Sequence, residues 1–347
     1  MRVHTDEGIT GIGEVDSGPT VARAIIESPL GHKVWSGLAE LLIGEDPLNI
    51  RPLWDKMFAG TVYNGRSGAV VHALSGLDLA LWDIAGKALK QPVYRLLGGG
   101  YRTRVRAYAS SLFGDTPEKT FELGRQYVLQ GFTAVKFGWG PFGRDETLDM
   151  ELASAAREGV GRQADLMFDV GGAWDWKTAI RREEKLRAFG PLWIEEPLSA
   201  EDLAGYAKLT ECSRTLIAAG ESEADLPAFD RLIREGGVDV VQPDVARCGG
   251  LTGAMRVADI ASFCRRQVAN HAFKTGISIA ASLHFLAAIP NALILEYSVS
   301  DSPLRQRATV QTFPVVDGYV EIPRDPGLGV DLNMETIEEY RWIETKR

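Results

Sequence analysis

The chain has 347 residues, of which 45% are hydrophobic and 24% charged, and its formal net charge is −9. This is the composition of a folded globular protein, long enough for two domains or for one large α/β barrel with an attached module. The acidic balance excludes nonspecific attraction to nucleic acid or anionic membranes, which needs a basic surplus. An anionic small molecule stays compatible with it, because a bound metal ion can invert the local field of a site.

The opening "RVHTDEGITGIGEV" reads as strand, turn, strand, with Gly8 placed to take positive φ. Gly11 and Gly13 have the look of a dinucleotide fingerprint, but they do not lie between a buried strand and a helix, so that reading is set aside. Residues from about Val21 to Leu97 read as mostly helical, and Gly98-Gly99-Gly100 is a stop signal. No apolar run stands out as a membrane span, and the first residues have no apolar signal core. Cys212, Cys248 and Cys264 are too few and too scattered for a disulfide framework or a zinc cluster. A cytoplasmic protein is expected.

From Arg104 short apolar runs alternate with amphipathic helical stretches: "VRAYAS", "FTAVKF", "LMFDV", "LWIEEP", "LIAAGES", "VDVVQPD", "QVANH" and "ALILEYS". From the second run onward each ends near a candidate functional residue: Lys136, Asp169, Glu195, Glu221, Asp244, His271 and Glu296. The gaps between them are 33, 26, 26, 23, 27 and 25 residues, roughly what a parallel β–α crossover takes (about 30 residues). Eight such units predict an α/β fold, a (β/α)8 TIM barrel with its functional groups at the C-terminal strand ends. The expected organisation is an α+β capping domain over 1–103, the barrel over 104–308, and a tail over 309–347 that returns to the capping domain.

Asp169, Glu195 and Glu221 on three consecutive strands should converge near the barrel axis. Three carboxylates so close repel one another, and a hard divalent cation with oxygen ligands, Mg²⁺ above all, answers that repulsion. Singly, each acid reads more readily as an ordinary salt-bridge partner, and it is the three together that point to a metal. Asp244 beside His271 is the arrangement of a general base with its orienting carboxylate. The other histidines, His4, His32, His72 and His284, read as structural or surface residues. Glu296 reads either as a hydrogen-bond donor to a substrate carboxylate, if protonated, or as the partner of a basic side chain. Lys136 reads either as a catalytic group at a strand end or as a surface lysine that starts a loop. Trp139, Phe142, Trp174 and Trp176 either rim the pocket or pack its loops, and Lys274 is either a second acid or a loop lysine. Gly171, two residues after Asp169, reads as leaving room in the pocket. A divalent metal, one imidazole base and one lysine suit removal of a proton α to a carboxylate, where the metal acts on the developing charge.

The motifs "TAVKFG", "LMFDV", "WIEEP", "AAGES", "QPDVARCGGLTG", "ANH" and "LILEYS", with "ALSGLDLALWDIAGK" before them, resemble the mandelate racemase-like branch of the enolase superfamily over essentially the whole chain. The resemblance implies Asp169, Glu195 and Glu221 as Mg²⁺ ligands, His271 with Asp244 as the base dyad, and Glu296 as an electrophilic donor. It also implies a capping domain closing over the barrel, and a homo-oligomer. The chain departs from that pattern twice. Racemases of the branch carry Lys-x-Lys on the second strand, whereas here the sequence is Lys136-Phe137-Gly138, without the second base. That is similar to rhamnonate dehydratase. It turns the expectation toward a hydro-lyase acting on an acid sugar, an aldonate or aldarate, through an enediolate to a 2-keto-3-deoxy product. A racemase, epimerase or cycloisomerase of a related hydroxy acid or lactone, or a silent barrel, is the alternative. Secondly, the family's first capping strand and substrate loop are expected to be missing, since residue 1 reads as the start of its second strand.

Overall fold

The structure, a computed structural model, describes all residues except Leu30, Lys33 and 342–347. Leu30 and Lys33 belong to the stretch read as helical, and 342–347 to the returning tail; those parts of the reading lie outside the described residues.

Strands β1 (Arg2–His4) and β2 (Thr10–Ile12) pair antiparallel, and Gly8 takes φ +80° in the turn between them. β2 lies directly on the helix Ala69–Leu89. A Cβ on Gly11 would come within 2.1 Å of the Ala80 carbonyl oxygen, and one on Gly13 within 1.9 Å of that of Gly76. These glycines therefore serve close backbone packing. The Ile12 amide donates to Asp83 on that helix (2.9 Å).

That helix corrects one sequence expectation. At 21 residues and a mean hydropathy of 1.3 it is long and apolar enough to cross a membrane, yet 83% of its most apolar window is buried inside the chain. It carries Asp78 and Asp83 in its middle, both buried and both hydrogen-bonded. Asp78 accepts from the Thr252 amide (2.9 Å) and hydroxyl (2.6 Å) at the start of the barrel helix Gly250–Phe263. Its carboxylate thus satisfies helix-end donors across the domain contact.

Among the described residues, eight parallel strands close into a barrel: β3 (Arg104–Leu112), β4 (Ala134–Gly138), β5 (Asp165–Asp169), β6 (Trp193–Glu195), β7 (Leu216–Ala219), β8 (Val240–Val241), β9 (Gln267–Ala269) and β10 (Ala292–Ser298). The closing pair is β10 with β3, in register from Leu295 opposite Ala107 to Ser298 opposite Ser110. All eight apolar runs of the sequence supply a strand. A further strand, β11 (Tyr319–Glu321), pairs antiparallel with the outer edge of β3. The chain then passes to the capping helix, where the Leu328 amide donates to Asp83 (2.8 Å).

Successive side chains of a strand point to opposite faces, and this period of two builds the site. One layer of the barrel interior is the fully buried set Tyr108, Ala134, Met167, Trp193, Ala218, Val240, Ala269 and Ile294. Two residues further along five of these strands stand Ser110, Lys136, Asp169, Glu195 and Glu296. The apolar layer plugs the barrel and holds the polar layer above it at the C-terminal end. Lys136 is thus the middle residue of β4 rather than its end, which is Gly138. Glu221, Asp244 and His271 come two to three residues after their strands stop. The isolated bridge between Asp244 and His271 continues the sheet at these two positions.

Candidate active site

Asp169 and Glu195 are direct register partners on β5 and β6, which places their carboxylates side by side. With Glu221 they form a cluster whose oxygens lie within 4.8 Å of one another. Asp169 accepts from the Gly171 amide (3.0 Å) and the Trp139 indole (3.1 Å). Glu195 accepts from the Trp193 indole (2.9 Å) on one oxygen and from Lys136 on the other. Burial, and then repulsion from Glu195, push the Asp169 carboxyl well above its ordinary range; the neighbouring Lys136 does not cancel this. A buried, all-oxygen cluster with surplus negative charge fits a hard dication.

Lys136 is buried, and its ammonium is 3.0 Å from Glu296 and 3.8 Å from Asp169 besides its contact with Glu195. Burial works against its charge, but Glu195 and Glu296 outweigh that and hold it charged. Of the two readings of Glu296, the geometry matches the partner of a basic side chain. It accepts from the Ser110 hydroxyl (2.7 Å) and the Ala272 amide (2.7 Å) and pairs with Lys136. Burial opposes its charge, yet Lys136 and His271 bring the carboxyl down to about 2. It is a carboxylate surrounded by donors, the ion-pair alternative.

His271 Nδ1 is 2.6 Å from Asp244 Oδ2, and the other oxygen of Asp244 accepts from the Ala246 amide (2.7 Å). The dyad is buried and its ring is fixed, with Nε2 3.4 Å from Glu221 and 3.8 Å from Glu296. Burial works against charge on the imidazole, but Glu221, Glu296 and Asp244 together lift it to about 10.

Lys136, Asp169, Glu221, His271 and Glu296 line a cavity of about 200 Å³ with Ser110, Ser111, Leu112, Trp139, Arg247, Phe273 and Lys274. Trp139 sits on its wall at φ +56°. Trp174 does not reach it: this side chain is 6% exposed, its indole donates to the Gly143 carbonyl (2.8 Å), and its ring packs near Phe142. The substrate-binding expectation for Trp174 is therefore replaced by loop packing. Lys274 does line the cavity, with its ammonium on Asp16 (3.0 Å). The room expected at Gly171 is taken by Trp139, whose ring atoms lie 3.1 to 3.3 Å from where a Cβ would stand.

Sequence reasoning missed several members of the site. Arg247 donates to the Glu221 carbonyl (2.9 Å) and pairs with Asp16 through Nε (2.7 Å) and Nη2 (2.6 Å). Asp16 and Glu14 come from the capping domain; Glu14 accepts from the Thr275 amide and hydroxyl and the Ser278 amide, just past the dyad's histidine. Glu196, next to a cluster member, holds φ +37° and accepts from the Ser222 amide (3.3 Å). Burial, then Glu221, push its carboxyl up to about 7. The doublet "EE" and the turn "GEVDSG" were the available signals, but neither says which partner it meets.

Residues 1–98 match the mandelate racemase / muconate lactonizing enzyme N-terminal domain, and residues 120–336 match the enolase C-terminal domain-like family. The chain belongs to the mandelate racemase-like branch of the enolase superfamily. Among its relatives in this superfamily, D-galactarolactone cycloisomerase of Agrobacterium fabrum is 31% identical, over 98% of this chain and 90% of that protein. D-xylonate dehydratase of Haloferax volcanii is 32% identical, over 98% of this chain and 84% of that protein. A racemase from Streptomyces coelicolor A3(2), solved with bound magnesium, superposes with a TM-score of 0.85 at 30% identity, covering 97% of this chain and 90% of that one. The enolase-superfamily neighbours share the arrangement of a capping domain on a closed eight-stranded barrel.

Proposed function

We propose that this chain is a Mg²⁺-dependent dehydratase of an acid sugar, with Asp169, Glu195 and Glu221 as the metal-holding residues. The observation that carries the reading is Gly138 at the end of β4, opposite an intact His271–Asp244 dyad. Inversion at carbon needs an acid/base group on each face, whereas loss of water needs only one imidazole acting twice.

Lys136 binds and orients the substrate carboxylate, held charged for that task by Glu195 and Glu296. Asp244 fixes the imidazole so that Nε2 meets the α-hydrogen. His271 takes that proton, and the same imidazolium then protonates the hydroxyl leaving the neighbouring carbon. One water departs, and the enol left behind loses its hydroxyl proton and gains one at the β-carbon to give the 2-keto-3-deoxy acid. Mg²⁺ at the three carboxylates would supply Lewis-acid stabilisation of the charge developing on the substrate carboxylate, and would offset the Glu221 charge that keeps His271 protonated. The dehydratase among the relatives supports this chemistry.

Replacing His271 with Asn should abolish both ketoacid formation and exchange of the α-proton with deuterated solvent, while Mg²⁺ binding measured by calorimetry persists. Undiminished turnover in that variant would overturn the reading. The cycloisomerase relative favours lactone isomerisation as a second reading; product identification by NMR separates a ring-opened or isomerised lactone from a ketoacid.

A further inference from the structure

The cavity has two cationic poles, and only one of them is needed for the reacting carboxylate. Lys136 stands at the first, with Asp169, Glu195 and Glu296 within 4 Å of its ammonium. The second consists of Arg247 and Lys274, both held by Asp16 of the capping domain. Asp16 is 5% exposed and divides its two oxygens, Oδ2 to Arg247 and Oδ1 to Lys274. Asp16 is thus shared by two cations, of which Arg247 also lies 3.9 Å from the Asp244 carboxylate.

Arg247 has further partners in the Glu221 carbonyl (2.9 Å) and carboxylate (3.6 Å). For Lys274, Asp16 is the one acidic partner among the described residues. Its ammonium has three donors, its side chain is 48% exposed, and it forms part of the cavity wall. Asp16 holds the ammonium in place without saturating it, so the ordering of a long side chain is largely complete before a ligand arrives. A hydroxyl would use its hydrogen bond but not its charge. A carboxylate would use both, because it is an acceptor that also brings the opposite charge.

Resting on the dehydratase reading for the orientation of the reacting end, we propose that Lys274 is a specificity-determining residue for the far end of the substrate. That end carries a second carboxylate, so the substrate class is the aldarates, sugar diacids, rather than the aldonates. Arg247, which also lines the cavity, shares Asp16 with Lys274 at the same pole.

The test is a comparison of C6 aldarates with the aldonates of matching configuration, by calorimetric titration and by ketoacid assay, in the Mg²⁺-loaded protein. The wild type should bind its best aldarate at least tenfold more tightly than the matched aldonate. Lys274→Met should bring that ratio to about one, and Lys274→Arg should keep most of it. Circular dichroism and Mg²⁺ titration of each variant establish that the fold and the carboxylate cluster persist. Equal or tighter aldonate binding by the wild type, a ratio unmoved by Lys274→Met, or no binding of any sugar acid would each overturn the proposal. Aldarate preference lost in Lys274→Met, but without ketoacid from any substrate, would uphold the Lys274 subsite and overturn the dehydratase reading.

Discussion

A side chain at position 138 would have to share space with Asp169. A Cβ built there stands 2.6 Å from Asp169 Cβ and 2.8 Å from its Oδ2, closer than such atoms approach without something moving. The glycine therefore does more than omit a second base: it lets Asp169 of the neighbouring strand stand upright beside Glu195. Gly138→Lys should not create a racemase. It should displace the Asp169 carboxylate and weaken Mg²⁺ binding by tenfold or more in a calorimetric titration. Unchanged Mg²⁺ affinity together with new racemase activity would show that the space is freer than the geometry states. Glu296 makes a similar point in reverse. In the sequence it is one acid at one strand end, equally a donor or an ion-pair partner. Its protonation is decided by Lys136 and His271, which are 160 and 25 residues away in the chain.

Strands carried most of the legible signal, because a period of two sets both the buried plug and the polar layer above it. Trp193 and Glu195, or Met167 and Asp169, are two residues apart and therefore share a face whatever surrounds them. The helices were less informative. The helix Gly276–Ala288 is buried along its whole length, so its sequence has no polar stripe to report which way it faces. Its His284 illustrates the consequence. It is fully buried, with Nδ1 accepting from the Tyr94 amide (3.3 Å) and Nε2 placed on the Leu328 carbonyl (3.2 Å). Burial is the main cause that brings its imidazole down to about 4, against an ordinary value of 6.5. Between those two values the unfolded chain takes up a proton that the folded chain refuses. Stability should thus fall as the pH drops from 6.5 toward 4, by up to about 1.4 kcal/mol per pH unit from this residue. Urea unfolding at pH 7, 6 and 5 measures it, and His284→Gln should flatten that component of the slope. A slope identical in the two proteins would mean that His284 protonates as readily folded as unfolded.

At the scale of the whole molecule, the capping domain is wired into the barrel through carboxylates. Glu14 meets three donors at the start of the helix Gly276–Ala288, Asp16 meets Arg247 and Lys274, and Asp78 meets Thr252. Glu14→Ala leaves the Thr275 and Ser278 amides without their acceptor, which costs about 1–3 kcal/mol. It should also raise KM more than it lowers kcat, because Thr275 directly follows Lys274 on the cavity wall. A stability change within 0.5 kcal/mol in urea unfolding (about the scatter of ordinary surface substitutions) would show that water replaces Glu14 at no loss.

The eight barrel runs, the three converging carboxylates and the His271–Asp244 pair followed from local order alone, since strand period and crossover length are properties of short segments. Tertiary structure decided what long-range electrostatics and packing control: the ionised state of Glu296, the withdrawal of Trp174 into a loop core, and the reach of Asp16 into the barrel. Those outcomes depend on groups brought together across 25 to 255 residues, from Glu296 beside His271 at one extreme to Asp16 beside His271 at the other. No short window of sequence contains both partners, so only the closed barrel with its cap could settle them.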